Sequence, residues 1–152
     1  MIKAMERTQI RVLVTGSTTW TDFWAVDSAL SELAERAAEE GVSLRVLTGM
    51  ADGADELARR WARQHGVSFH AETLEQGRYP GPMHRYNEQL LDLDPDVVLA
   101  FKENFHAEWD LDTCVGGTEH MCRIAARAGV PVILNGQQMS KEQVEEKVKE
   151  SK

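Results

Sequence analysis

The sequence has little of what marks exported or membrane-spanning proteins. It contains only two cysteines in 152 residues, too few for a disulfide framework. No apolar run approaches the roughly 20 residues of a membrane-spanning helix, and residues 1–7 lack the apolar core of a signal peptide. We therefore expect a cytoplasmic protein with free thiols. The histidines and cysteines match no zinc-binding spacing, so we also expect no metal and no cofactor.

Positive charge is scarce as well. The chain has 17 Lys and Arg residues against 25 Asp and Glu residues, and its net charge is −8. Affinity for nucleic-acid backbones and for anionic membranes comes from Lys and Arg, so both are disfavoured as partners. A local basic pocket is still compatible with binding a single phosphate. The hydrophobic fraction of 42% is ordinary for a globular domain of this length.

Short apolar runs alternate with helical patterns along the chain. Strands are predicted at residues 10–14, 44–47, 67–71, 96–101 and 130–134. Between them, apolar residues recur at the spacing of amphipathic helices. Strands joined by helices lie parallel. The predicted fold is therefore α/β, a doubly wound sheet of about five parallel strands in a three-layer αβα sandwich.

The ends of the chain are predicted to lie outside this domain. Residues 1–8 are interpreted as a lead-in, residues 9–136 as the domain and residues 137–152 as a helical tail. Ser140 and Gln143 have the spacing of a capping box, which predicts an extra C-terminal helix. Its apolar stripe is thin, so we expect a solvated helix, or one docked on a partner subunit.

Three glycine-containing loops follow predicted strands. Residues 15–22 combine one glycine with five hydroxyl groups, and residues 48–55 and 115–119 each contain two glycines. The carboxyl ends of parallel strands share one edge of a sheet, where such sheets bind ligands. The three loops are therefore predicted to converge on one crevice that holds a phosphate or a nucleotide.

The third loop has the clearest chemistry. Gly116 and Gly117 precede a helix predicted to begin near Thr118, and the free N–H groups and dipole of a helix start favour an anion. Glu119 would repel a phosphate, so it suits a ribose hydroxyl or acid–base catalysis. The alternative is a tight turn followed by an acidic residue that the helix dipole favours.

Structural interpretations compete at other positions too. Trp20 is expected to pack against the following helix, and Asp52 to cap the second helix. Asp55 either favours a helix start or binds a ribose hydroxyl or a metal. Thr21 and Asp22 are both candidate caps of the first helix. Four arginines are interpreted as parts of solvated helix faces: Arg59, Arg60, Arg123 and Arg127.

Taken together, these motifs resemble the SLOG superfamily, the Rossmann-like group that contains the Lonely Guy phosphoribohydrolases and the DNA-processing protein A family. The resemblance spans residues 10–134 and is to a small stand-alone branch common in actinobacteria and their phages. It rests on motifs at residues 16–22, 49–55, 81–87, 100–101 and 116–118. The resemblance implies ligand binding by Gly16, Ser17, Thr18, Trp20, Gly49, Gly53, Asp55, Arg85, Asn87, Gly116, Gly117, Thr118 and Glu119.

The resemblance also frames the candidate functions. In Lonely Guy enzymes an arginine and a glutamate carry the hydrolysis, and the matching positions are Arg85, or Tyr86 beside it, and Glu119. Thr18 stands where this branch has an arginine in the loop after the first strand. We therefore expect a nucleotide-binding sensor or sequestering protein. The alternatives are a nucleoside 5′-monophosphate phosphoribohydrolase and, against the charge balance, a single-stranded DNA-binding protein. The resemblance further implies a homo-dimer or larger homo-oligomer.

Overall fold

The computed structural model describes residues 8–72, 83–103 and 117–150, although not the side chains of residues 83–85 and 147–150. The predicted lead-in therefore lies almost wholly outside the described residues, as does Cys114. The division into lead-in, domain and tail stays a prediction.

The described chain alternates strands and helices as expected. The strands are β1 (Gln9–Gly16), β2 (Ser43–Thr48), β3 (Ser68–Ala71), β4 (Val97–Phe101), β5 (Val132–Leu134) and β6 (Gln137–Met139). The helices are α1 (Phe23–Glu40), α2 (Ala54–His65), α3 (Met83–Leu91), α4 (Gly117–Arg127) and α5 (Lys141–Glu150). The α/β fold with a C-terminal helix is thus confirmed.

The strands form one six-stranded sheet in the order β3-β2-β1-β4-β5-β6. β1 to β5 are parallel to their neighbours, and β6 runs antiparallel to β5. From β1 the chain moves to β2 on one side, whereas from β4 it moves to β5 on the other. The carboxyl ends of β1 and β4 therefore form the topological switch point, where sheets of this type bind ligands.

Burial on both faces explains the sequence of the central strands. Every residue of β4 is buried, and its side chains alternate between two clusters. Val98 and Ala100 pack with apolar residues of α3, α4 and α5. Val97, Leu99 and Phe101 pack on the other face, in the cluster that contains the apolar residues of α1 and α2. The central strands thus hold their carboxyl ends in a rigid frame.

The helix starts differ in how they are capped. Asp22 caps α1, because its Oδ1 accepts a hydrogen bond from the backbone N–H of Ala25 at 3.2 Å. The predicted cap by Asp52 is wrong. The N-cap of α2 is Gly53, which has a φ of +69° and makes no side-chain cap hydrogen bond. The chain turns at the glycine, one residue later than the prediction assumed.

The last helix begins with the predicted capping box. The Ser140 backbone N–H donates to Gln143 Oε1 at 2.8 Å, and the Gln143 N–H donates to Ser140 Oγ at 3.1 Å. The expectation of a solvated helix is wrong at Val144, which is buried in the core. The short edge strand β6 reverses the direction of the chain beside β5. The following helix α5 packs on α4, where Glu145 Oε1 accepts from Arg127 Nε at 2.6 Å.

No helix within the three described stretches combines the length and the apolar character that crossing a membrane requires.

Candidate functional site

The loop after β1 (residues 17–22, loop one) packs against the loop after β2 (residues 49–53, loop two). The backbone N–H of Ala54, at the start of α2, donates to Ser17 O at 3.1 Å. A Cβ on Gly53 would collide with Ser17 O and with the backbone of Thr18. Only glycine allows this approach at a positive φ. The structure thus confirms that the two loops lie together, and it gives Gly53 a packing role.

Loop one is also anchored on β4, the neighbouring strand at the switch point. The Ser17 N–H donates to Phe101 O at 2.9 Å. A Cβ on Gly16 would collide with the same carbonyl oxygen and come within 2.8 Å of the Ala54 Cβ. The predicted ligand-binding residues Gly16 and Ser17 therefore stand where β1, β4 and α2 meet.

Loop two encloses a buried carboxylate. Asp55 is only 8% exposed, and its Oδ2 accepts from the Ala51 N–H at 3.3 Å. Burial raises the pKa of Asp55 to about 6, against the opposing effects of that hydrogen bond and of Arg59. A Cβ on Gly49 would lie 2.6 Å from Tyr86 Oη and 2.9 Å from Asp55 Oδ2. Gly49 therefore leaves room for these two side chains.

Arg59 corrects the interpretation of solvated arginines. It is 9% exposed and donates to Gly49 O at 2.8 Å and to Ala51 O at 3.2 Å, so it holds the backbone of loop two. Its position one turn after Asp55 on α2 explains this, since residues four apart share a helix face. That spacing was the signal in the sequence. Arg60, in contrast, is exposed as predicted.

The start of α3 reaches both loop two and the start of α4. Tyr86 Oη donates to Glu72 O at 2.6 Å, and burial raises the pKa of this phenol. Asn87 is buried, and its Nδ2 donates to Gly117 O at 2.8 Å and lies 3.2 Å from His120 Nδ1. The predicted residues Asn87, Gly117 and Thr118 are thereby brought together at the start of α4.

Glu119 lies beneath this helix start as half of a buried ion pair. Its side chain is 0% exposed, and Oε1 is 2.8 Å from Nζ of Lys102, which is 3% exposed. A buried charge is tolerated when it is paired in this way. Sequence reasoning missed Lys102. The signal available in the sequence was a lysine that directly follows the continuous apolar run of residues 97–101.

The next residue, Glu103, faces loop one. Its Oε2 accepts from Thr19 Oγ1 at 3.1 Å, and Thr19 Oγ1 is 2.6 Å from Ser17 Oγ. Residues 102 and 103 therefore connect the two halves of the candidate site, because Lys102 contacts α4 and Glu103 contacts loop one. Sequence reasoning placed both residues in a loop over residues 102–114 and gave neither side chain a role of its own.

The remaining predicted residues differ in their exposure to solvent. Trp20 is half-buried, its ring centroid lies 5.6 Å from that of Phe101, and its Nε1–H donates to Asp22 O at 3.0 Å. This ring contact is with β4, whereas the prediction named the following helix. Thr18 is exposed. Gly116 and the side chain of Arg85 lie outside the described residues. Cys122 is a buried free cysteine on α4, and burial raises the pKa of its thiol.

A separate groove lies on the face of the sheet beside α1. Its volume is about 650 Å³, and it is lined by α1 and by residues of β1, β4, β5 and β6. None of the described residues predicted to bind the ligand lines it. Within the described stretches, no group of three or more His, Cys, Asp or Glu side chains is arranged to bind a metal ion.

The chain is similar to known proteins in sequence. Residues 10–79 match the family model described as YAcAr, the YspA, cpYpsA-related SLOG family. The chain is also 37% identical over 131 residues to the Gene 61 protein of Mycobacterium phage D29, covering 81% of this chain and 94% of the phage protein. The chain belongs to the SLOG superfamily. The resemblance seen in the sequence motifs is thereby confirmed. No solved structure matches the chain.

The range of the SLOG family match separates two parts of the candidate site. Residues 10–79 include β1, loop one, loop two and β3, so the interlocked loops belong to the matched part of the SLOG fold. The ion pair of Lys102 with Glu119, and the contact of Glu103 with loop one, each involve residues beyond that range.

Proposed function

We propose that this SLOG protein binds a nucleotide or a nucleotide-derived phosphate ligand at the carboxyl edge of its sheet, as a sensor or a sequestering protein. One observation carries the proposal. Loop one and the start of α4 flank the switch point between β1 and β4, and residues 102–103 connect them. This is the crevice where doubly wound sheets bind nucleotides.

The start of α4 is the subsite we assign to the phosphate. The first N–H groups of a helix have no partners within the helix, and its dipole places partial positive charge there. Thr118 adds a hydroxyl in the first turn, and Asn87 holds the Gly117 carbonyl in place. Lys102 contributes a buried positive charge beneath this turn, balanced by Glu119.

The state of Glu119 favours binding over hydrolysis. A carboxylate that assists the attack of water on a glycosidic carbon must reach the substrate. Glu119 is fully buried, and its Oε1 is held by Lys102 at 2.8 Å. This arrangement suits a structural and electrostatic role, so we place the phosphoribohydrolase second. A cytoplasmic location and homo-oligomeric assembly are part of the proposal. Nucleic acid and membranes are not, since the net charge is −8.

Ligand binding is tested first by mass spectrometry of the small molecules that co-purify with the protein. A thermal-shift panel of the ribonucleoside 5′-monophosphates and inorganic phosphate accompanies it. A ligand at 100 times its Kd stabilises a protein by about 2.7 kcal/mol, which is roughly 5–10 °C in Tm for a chain of this size. If no member of the panel raises Tm at millimolar concentration and no nucleotide co-purifies, the proposal is wrong.

A matched pair of variants locates the subsite. Thr118→Val removes the hydroxyl at the start of α4 and should weaken binding roughly tenfold, the effect of one lost hydrogen bond to a charged group. Thr8→Val makes the same change at the amino end of β1, on the opposite edge, and should leave Kd unchanged. Equal effects of the two variants would place the ligand elsewhere. Release of free base during incubation would favour the hydrolase instead.

A further inference from the structure

Two residues of loop one, Ser17 and Thr19, form a chain of hydrogen bonds that leads to Glu103. The Thr19 N–H donates to Ser17 Oγ at 3.1 Å, and Thr19 Oγ1 donates to Glu103 Oε2 at 3.1 Å. Either hydroxyl can be the donor in the 2.6 Å contact between Ser17 Oγ and Thr19 Oγ1, and hydrogen bonds from both Ser17 and Thr19 act on the Glu103 carboxyl. Both hydroxyl groups therefore interact with the carboxylate of Glu103.

Glu103 occupies the centre of the proposed site. Thr19 follows β1 and Glu103 follows β4, and these strands are neighbours, with Gly16 paired to Phe101. The contact between Thr19 and Glu103 therefore crosses the switch point itself. Glu103 is exposed, so a ligand that enters the crevice meets this carboxylate.

The charge of Glu103 decides which chemical group it accepts. Hydrogen bonds from its own backbone N–H and from Ser17 and Thr19 lower the pKa of this carboxyl, so it is ionised at neutral pH. A phosphate at loop one would meet a like charge and would have to take the Thr19 proton from Glu103. A hydroxyl group is a donor instead. Because a carboxylate has about four acceptor sites, it can accept from a ligand while it keeps Thr19.

We propose that Glu103 makes loop one the subsite for hydroxyl groups of the ligand, the ribose hydroxyls of a nucleotide, and so directs the phosphate to the start of α4. This inference rests on the proposed function and adds an orientation to it. Loop one, with its hydroxyl groups, then binds the ligand through the Glu103 carboxylate as a hydrogen-bond acceptor and not as a phosphate cradle. Glu103 is a specificity-determining residue in this arrangement.

Isothermal titration calorimetry tests the orientation. The probes are the four ribonucleoside 5′-monophosphates and their 2′,3′-dideoxy counterparts, which keep the phosphate and lose both hydroxyl donors. The wild-type protein should bind the ribose form roughly tenfold more tightly, the effect of a hydrogen bond to a charged acceptor. Glu103→Ala should reduce this preference to about twofold or less. Glu103→Gln, which keeps a neutral acceptor, should lie between them.

Glu56→Ala is the matched control. Glu56 is an exposed carboxylate in the first turn of α2, so its removal changes the net charge equally without touching loop one. This variant should keep the preference of the wild-type protein. Tm measured for each variant confirms that the fold is intact, and Glu103→Gln preserves the shape of the side chain should Glu103→Ala lose stability.

The outcomes separate the inference from the proposed function. If no probe binds the wild-type protein, the proposed function fails and the orientation fails with it. If the probes bind but the wild-type protein shows no preference for ribose, the orientation alone is wrong. It is also wrong if Glu103→Ala changes the affinities for the ribose and dideoxy nucleotides equally, since Glu103 would then only support loop one. It is wrong again if Glu103→Ala tightens the binding of both nucleotides and keeps the preference for ribose, since Glu103 would then only repel phosphate.

Discussion

Lys102→Met is expected to be among the most destabilising single substitutions in this protein. The substitution removes the cation 2.8 Å from Glu119 Oε1 and leaves a carboxylate that is 0% exposed. Loss of one partner of a buried ion pair costs about 3–5 kcal/mol, because the remaining charge is buried without its counterion. For a chain of this size, that loss lowers Tm by roughly 6–20 °C.

Urea denaturation followed by circular dichroism measures this effect. The midpoint should fall while the m-value stays constant, which indicates a change in stability and not in the surface exposed on unfolding. Arg11→Met is the matched control. Arg11 pairs with Asp94 at 3.3 Å, with the two side chains 36% and 72% exposed, and an ion pair in contact with solvent contributes about 0–1 kcal/mol.

The double variant Lys102→Met with Glu119→Met separates the pair from its individual charges. Two apolar side chains of similar volume replace a buried ion pair at little net cost. The double variant should therefore recover most of the stability that Lys102→Met loses, and the interaction energy from the double-mutant cycle should be large. A loss below about 1 kcal/mol for Lys102→Met, or additive effects in the cycle, would refute the assignment of a buried, coupled pair.

Three further predictions follow from contacts described above. Gly53→Ala should lower the free energy of unfolding by about 1–3 kcal/mol more than Gly41→Ala does, because both glycines have positive φ but only a Cβ on Gly53 meets backbone atoms. Equal urea midpoints for the two variants would contradict the close packing of loop one against loop two. Burial raises the pKa of Asp55 from 3.8 to about 6 on folding, so the folded state binds the proton more tightly than the unfolded state. The free energy of unfolding should therefore fall by about 3 kcal/mol as pH rises through this range. Asp55→Asn should lack this fall, and the same pH dependence in the wild-type protein and the variant would disprove the prediction. Ser140→Ala should lower stability by about 1 kcal/mol by removing the capping box with Gln143, and an unchanged Tm would show that packing alone holds α5.

The sequence correctly predicted the features that depend on residues close together in the chain. The continuous apolar run of β4, a helix cap at Thr21 or Asp22 and the capping box of Ser140 with Gln143 were all readable because they depend on residues within a few positions, and Asp22 supplies the cap. β6 was not predicted. Its residues Gln-Gln-Met carry no strand pattern of their own, and the strand exists because β5 offers an edge for antiparallel pairing.

The candidate site shows the same division. The glycines and hydroxyls of loop one and loop two predicted a shared crevice, since the carboxyl ends of parallel strands lie at one edge. The roles of Arg59, Lys102 and Glu103 were missed. All three side chains are charged, so the sequence alone suggests that they face solvent. Arg59 instead donates to a carbonyl oxygen of loop two, Lys102 pairs with Glu119 on α4, and Glu103 accepts from Thr19 in loop one.

The sequence by itself determined the class of fold, the order of the elements as far as β5 and the edge of the sheet that carries the loops. These follow from hydrophobic periodicity and from the geometry of parallel strands. Only the tertiary structure decided which charges are buried and paired and which carboxylate faces the crevice. Thr19 and Glu103 are 84 positions apart, and Lys102 and Glu119 are joined only because β4 and α4 pack together. Burial and pairing arise from that packing, and no local pattern of residues encodes them.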